Sequence, residues 1–179
     1  MNRENTVERM SKGDIAALFR KQKEFAPRLA TPTCRERKKK LACMLDYLMR
    51  HAAELERAVF SDMKKPAAEV KLSEIITLTS EIRYHLKHLS RWMSPQRVPG
   101  PLLAIGTRSY IQFEPKGTSL IISPWNYPVG LAIRPLISAV SAGCTAILKP
   151  SEFSPGASAF IRNFVRNIFA PEEVAVVEG

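Results

Sequence analysis

Three cysteines, eight glycines and two tryptophans are few for 179 residues, and each shortage excludes a class of protein. Cys34, Cys43 and Cys144 are odd in number, irregular in spacing and without a CxxC pair, which argues against a disulfide framework and against a zinc knuckle. No GxGxxG is present, so the usual dinucleotide fingerprint is missing. No run approaches the roughly 18 consecutive apolar residues of a membrane-spanning helix. The opening stretch MNRENTVERMSKGD has no apolar core, so no secretory leader is expected and a cytoplasmic location is. His85 and His88, three apart on a predicted helix, read as surface or half-buried histidines, and no metal site is expected.

What is present is the composition of a soluble globular chain, 45% hydrophobic and 25% charged, long enough for an ordinary core. Lys and Arg outnumber Asp and Glu by 27 to 17, and nearly all of the excess lies before residue 100. It peaks at Arg35-Glu36-Arg37-Lys38-Lys39-Lys40. A basic run can bind nucleic acid or an anionic membrane, but no aromatic side chains interleave this one as a base-stacking platform needs. It reads as a solvated helix face, with no nucleic-acid partner.

The chain divides into three stretches. Residues 1–94 are helical in pattern. Leu41, Leu45, Leu48, Ala52, Leu55 and Val59 fall at spacings of three and four and predict one long amphipathic helix over 32–62. A second stripe follows Pro66: Leu72, Ile75 or Ile76, Leu78 or Thr79, Ile82, Leu86 and Leu89. Residues 95–116 hold a proline-rich connector, Ser94 to Pro101, and two short β-type runs, Leu102–Ile105 and Ser109–Phe113, that read as a hairpin. Residues 117–179 alternate as an α/β unit. Strands are predicted over 118–123, 145–149 and 174–177, the first as a buried parallel strand. Helices are predicted over 129–142 and from Ser154-Pro155 onward. Gly143 is placed to end the first helix, Ser154 to cap the second with its hydroxyl, and Pro135 to kink the first or delay its start. Strand–helix–strand–helix–strand is half of a doubly wound nucleotide-binding fold. The expected fold class is therefore α/β: amino-terminal helices, a β-hairpin and a partial Rossmann-like β-α-β-α-β half-domain.

One segment carries more. Glu114-Pro115-Lys116-Gly117-Thr118-Ser119-Leu120-Ile121-Ile122-Ser123-Pro124-Trp125-Asn126-Tyr127-Pro128 resembles the aldehyde dehydrogenase family, where an EPxGxxLIIxPWNYP segment forms the first cofactor strand and its loop. Lys149-Pro150-Ser151-Glu152 matches that family's KPSE about twenty residues on, and Arg134-Pro135-Leu136 and Ala142-Gly143 match between them. Asp62-Met63-Lys64-Lys65-Pro66 and Trp92-Met93-Ser94-Pro95 are similar to the DxxKP and WMxP of its class 3-like (fatty aldehyde type) branch. The resemblance covers nearly the whole chain.

By that resemblance, the activity is NAD(P)-dependent oxidation of an aldehyde to a carboxylic acid. Asn126 would donate its side-chain amide to the oxyanion formed when a thiolate attacks the aldehyde. Ile122, Ser123, Pro124 and Trp125 would line the cofactor, Ser151 would contact it as well, and Lys149 and Glu152 would lie at the adenosine ribose. An acid at 152 would disfavour a 2′-phosphate, which favours NAD, although the branch accepts NADP as well. The hairpin implies a homodimer of the full-length enzyme.

The family's nucleophilic cysteine and general-base glutamate correspond to positions downstream of Gly179. None of the three cysteines here stands in for the nucleophile; Cys144 reads as a small buried residue. The chain is accordingly expected to be the amino-terminal part of such an enzyme, inactive alone, with an open apolar edge on its third strand that favours aggregation. The alternatives are a catalytically inactive cofactor-binding or interaction module, and a basic helical binding protein with a remnant domain.

Overall fold

The computed structural model describes residues 10–100, 103 and 106–179. Helix α1 (Lys12–Ala30) and helix α2 (Cys34–Arg50) each open on a capping box, Ser11 with Asp14 and Thr33 with Glu36. In each, a hydroxyl accepts a backbone N–H while the acid reaches back to the cap. The helix expected over 32–62 is two: α2 ends and α3 (Ala52–Met63) begins at His51, whose φ of −105° and ψ of 19° lie outside the helical well. The His51 ring stacks on Tyr47 at 4.1 Å. The apolar stripe survives the break, with Leu41, Leu48, Leu55 and Val59 all fully buried.

After a tight turn with Lys64 in the left-handed region (φ 58°), α4 (Ala67–Val70) leads through a π-helical stretch, Lys71–Ile76, directly into α5 (Thr77–Met93). The wider π turn shifts the stripe. Val70, Glu74, Ile75, Leu78, Ile82, His85 and Leu89 are buried, whereas Leu72, expected inside, is exposed.

Strands β1 (Gln96–Val98) and β2 (Ser109–Ile111) form the antiparallel ribbon. Its first strand therefore lies inside the stretch expected to be a connector. Residues 102, 104 and 105 of the expected strand lie outside the described residues.

The parallel sheet runs β3 (Thr118–Ile122), β4 (Thr145–Lys149), β5 (Val174–Val176) in that spatial order. Helices α6 (Pro128–Ala142) and α7 (Pro155–Ile168) make the crossovers and pack on each other. All of β4 from Thr145 to Leu148 is buried, which requires cover on both faces. Helix α6 supplies one face and α1 the other, where Gln22 donates to the Ala146 carbonyl at 3.0 Å. Outside α6 and α7 lie α2, α3 and α5, and a single cluster of buried side chains joins them to the sheet.

Three local expectations need correction. Strand β3 is covered on one face only: Ile121 is buried, but Leu120 and Ile122 are 66% and 70% exposed, because α1 lies mainly over β4. Helix α6 starts at Pro128 and runs through Pro135 without a delayed start. Pro135 and Leu131, whose carbonyl loses its partner, both sit on the exposed side, where water can take the freed group. Ser154 makes no side-chain cap on α7; its hydroxyl donates to the Ser151 carbonyl instead. No helix among the described residues is long and apolar enough to cross a membrane.

Candidate functional site

Parallel pairing places the ends of β3 and β4 side by side. Ile122 lies opposite Lys149, and the Ser123 N–H donates to the Lys149 carbonyl at 3.1 Å. The two loops that carry the expected site residues thus start from one point of the sheet, at the carboxyl ends of its strands, where open α/β sheets bind ligands. Ile122, Pro124, Trp125 and Asn126 are exposed there. Ser123 is buried, and its Oγ has no hydrogen-bond partner among the described residues. A buried hydroxyl without a partner is costly, and this one belongs to the residue whose N–H joins the end of β3 to the Lys149 carbonyl. The Asn126 side chain is not held by any hydrogen bond among the described residues; only its backbone carbonyl is. On the neighbouring loop Lys149 and Glu152 form a partly exposed ion pair. Ser151 differs from them: it is buried, its hydroxyl accepts from the Phe153 N–H at 3.3 Å, and its carbonyl receives the hydroxyls of Ser154 and Ser158. Its visible work is to shape the turn into α7.

The amino termini of the two crossover helices, where phosphates bind in many nucleotide folds, are occupied by carboxylates from the helical region. Asp62 accepts from the N–H groups of Gly156 (2.9 Å) and Ala157 (2.8 Å) at the start of α7. Glu74 Oε2 accepts from Val129 (2.9 Å) and Gly130 (2.7 Å) at the start of α6. Each acid satisfies two orphan donors and the positive end of a helix dipole. The missing glycine fingerprint has a structural counterpart here, because these helix ends are filled by the protein itself.

Glu74 is fully buried, and its Oε1 has no partner among the described residues. Burial pushes its carboxyl above the usual glutamate value, opposed by the Gly130 N–H, the Lys65 ammonium and the Val129 N–H. Beside it, Lys65 donates to the Asn126 carbonyl at 2.6 Å and lies 3.7 Å from the centre of the Tyr127 ring. A raised folded value has a definite consequence for stability. Between the ordinary glutamate value and the raised one, the native state holds a proton that the unfolded state has lost, so stability falls as pH rises through that window. Urea midpoints across this window should fall with rising pH in the wild type, and the slope should flatten in Glu74→Gln. Equal slopes in the two would show that Glu74 does not titrate this way.

Asp62 and Lys65 stand in the DxxKP-like stretch, which implies no contact for either, and Glu74 stands in no motif. The available signal was an acid at position 74 in the Val70–Glu74–Leu78–Ile82 row, where the pattern calls for an apolar residue. His85, expected at the surface or half-buried, is buried, with Nδ1 2.7 Å from the Ser141 hydroxyl; burial holds its imidazole below the usual value. Cys144 is buried, Cys34 half-buried and Cys43 exposed.

A model of the "Aldehyde dehydrogenase family" matches residues 3–179. AldX of Bacillus subtilis is 36% identical over 173 residues, covering 97% of this chain and 39% of its own. The aldehyde dehydrogenase family 3 member H1 of Arabidopsis thaliana is 38% identical over 141 residues, 79% of this chain and 28% of its own. Among solved structures, the substrate-bound state of Staphylococcus aureus AldH superposes with a TM-score of 0.88 at 34% identity, over 92% of this chain and 36% of that one. The chain spans about a third of the length of these relatives.

Proposed function

The chain belongs to the aldehyde dehydrogenase family, and from that premise we propose that it forms the amino-terminal part of an enzyme that oxidises an aldehyde to a carboxylic acid with NAD(P). The observation that carries the reading is the juxtaposition at the sheet: the Asn126 loop and the Lys149–Glu152 pair leave adjacent strand ends. The residues present fit an adenosine moiety. Lys149 and Glu152 offer a donor and an acceptor to a pair of ribose hydroxyls, Ser123, whose hydroxyl has no partner among the described residues, stands where β3 meets Lys149, and the exposed faces of Ile122 and Trp125 offer apolar contact. Ser151 supports them by fixing the turn. The Glu152 carboxylate repels a 2′-phosphate, which supports NAD over NADP. Because Asp62 and Glu74 fill the starts of α7 and α6, the cofactor's phosphates belong at neither.

The bound nicotinamide would supply the hydride acceptor. Asn126 would turn its side-chain NH₂ toward the aldehyde oxygen as negative charge develops there, a donor worth most in the transition state. The attacking thiolate and the base that activates water are assigned to the part of the family's length that this chain does not span. The division at residues 94 and 116, the action of the β1–β2 ribbon as a dimer element and a cytoplasmic location belong to the same reading.

The experiment is calorimetric titration of the 179-residue chain with NAD, beside a Lys149→Ala, Glu152→Ala double variant. Saturable binding by the wild type that falls at least tenfold in the variant is the expected result. Equal affinity in both would remove Lys149 and Glu152 from the site.

A further inference from the structure

The segment that presents Asn126 is tied down by two residues from elsewhere in the chain, Lys65 of the DxxKP-like stretch and Glu74, which lies in no motif. The Asn126 backbone carbonyl accepts from Lys65 at 2.6 Å, and the Lys65 ammonium also covers the Tyr127 ring at 3.7 Å. Two and three residues beyond Tyr127, the N–H groups of Val129 and Gly130 donate to Glu74 Oε2. Residues 126–130 are thus gripped at a carbonyl by a cation and at two amides by an anion. Both grips come from one short piece of chain, residues 65–74.

That piece is itself rigidly set. Lys64 adopts a left-handed conformation that ends α3, Pro66 caps α4, and Glu74 is carried inward by the π-helical stretch. Short π turns inside helices are frequent at functional sites. The arrangement is expensive if its purpose is packing alone. Glu74 is fully buried with one oxygen unpartnered among the described residues, whereas a hydroxyl or amide cap would satisfy the same N–H groups without burying a charge. Lys65 leaves only 15% of its side chain exposed, although a lysine gives up much rotamer freedom when it is held. The opposite charges attract each other across the loop they hold. Asn126 itself stays exposed, its side chain free of hydrogen bonds among the described residues.

We propose that Lys65 and Glu74 form a two-point clamp that sets the backbone of residues 126–130, and so aims the Asn126 amide at the position of the oxyanion. Both are positioning residues, acting through Asn126 without touching substrate. The inference rests on the reading of this chain as part of an aldehyde dehydrogenase. Positioning errors near 1 Å cost on the order of 10²-fold in rate, so a loosened clamp has a large margin in which to act.

The test is made in the full-length protein that carries this chain, with Lys65→Met, Lys65→Arg, Glu74→Gln and Asn126→Ala made singly, and Lys65→Met also combined with Asn126→Ala. Lys65→Met is expected to lower kcat on the order of 10–100-fold while leaving KM for NAD near the wild-type value. Lys65→Arg, which keeps a cationic donor, is expected to recover most of that loss. In the Asn126→Ala background, Lys65→Met is expected to add little, because residues that act through one group are not additive. Hydrogen exchange without cofactor gives a second readout: the Val129 and Gly130 amides should exchange faster in Glu74→Gln, and those around Asn126 faster in Lys65→Met. An equal fall in kcat in both backgrounds, or unchanged kcat and exchange in the single variants, would overturn the clamp. A wild-type protein that turns over no aldehyde with either NAD or NADP would overturn the functional reading on which it rests.

Discussion

If the chain is part of an aldehyde dehydrogenase and Asn126 its oxyanion donor, as proposed, Asn126→Ala is expected to reduce kcat of the protein that carries it by on the order of 10²–10³-fold, the usual consequence of deleting one such donor. The size follows from where the side chain stands. It sits on an exposed loop at the carboxyl edge of the sheet, on a backbone held from behind, with its amide not used in any internal hydrogen bond among the described residues. No described residue bonds to that amide, so stability and NAD affinity should change little. The loss should fall on kcat and kcat/KM alike, the mark of an interaction made only in the transition state. Asn126→Asp sharpens the comparison: it keeps the shape but replaces the donor by a negative charge, and should be worse than alanine. Steady-state kinetics over aldehyde concentration, with melting temperatures beside them, decide the matter. A fall confined to KM would assign Asn126 to ground-state binding instead.

Much of the half-domain was legible from sequence because its information is local. A run of apolar residues followed by a loop gives a strand, and β4 begins and ends where its residues predicted. Gly143 and Pro155 mark helix ends by their backbone limits alone. The proposed site residues stand in two sequence motifs, and parallel pairing brings those motifs to neighbouring strand ends. What escaped was carried by contacts across long stretches of chain. Asp62 reaches Gly156 and Ala157, and Glu74 reaches Val129 and Gly130; no spacing rule announces a helix cap donated by another element. Ser154, a good capping residue by type, makes no side-chain cap because Asp62 takes the Gly156 and Ala157 N–H groups at the start of α7. The break at His51 and the π turn before α5 were hidden for a different reason. At His51 the spacing of the stripe runs on unbroken, so nothing in it marks the helix end, and the π turn keeps apolar periodicity on both sides while shifting which residues face inward.

Gly143 is where backbone limits and long-range contact coincide, and Gly143→Ala is expected to cause a large loss of stability. Its φ of 81° is left-handed, which costs a residue with a Cβ about 1–2 kcal/mol. A Cβ there would also lie 2.6 Å from Arg37 Nη2 and 2.6 Å from the Leu29 carbonyl oxygen. Neither neighbour can withdraw cheaply. The Leu29 carbonyl belongs to the last turn of α1 and accepts from Arg37 at 3.2 Å, while the other arm of the guanidinium donates to the Ser141 carbonyl at 3.1 Å in the last turn of α6. Arg37 is 92% buried by its 8% exposure, so moving it strands a cation among carbonyls it can no longer reach. Overpacking adds about 1–3 kcal/mol to the conformational cost, a large share of the roughly 5–15 kcal/mol that holds a domain together. Gly117→Ala separates the two contributions. Gly117 also has a positive φ, 109°, but a Cβ there meets nothing within 4 Å, so it carries the conformational cost without the collision. Urea unfolding of both variants should therefore show Gly143→Ala as the more destabilised by at least about 1 kcal/mol. Equal midpoints would mean that α1, α2 and α6 do not close over Gly143 as tightly as the contacts with Arg37 and Leu29 require.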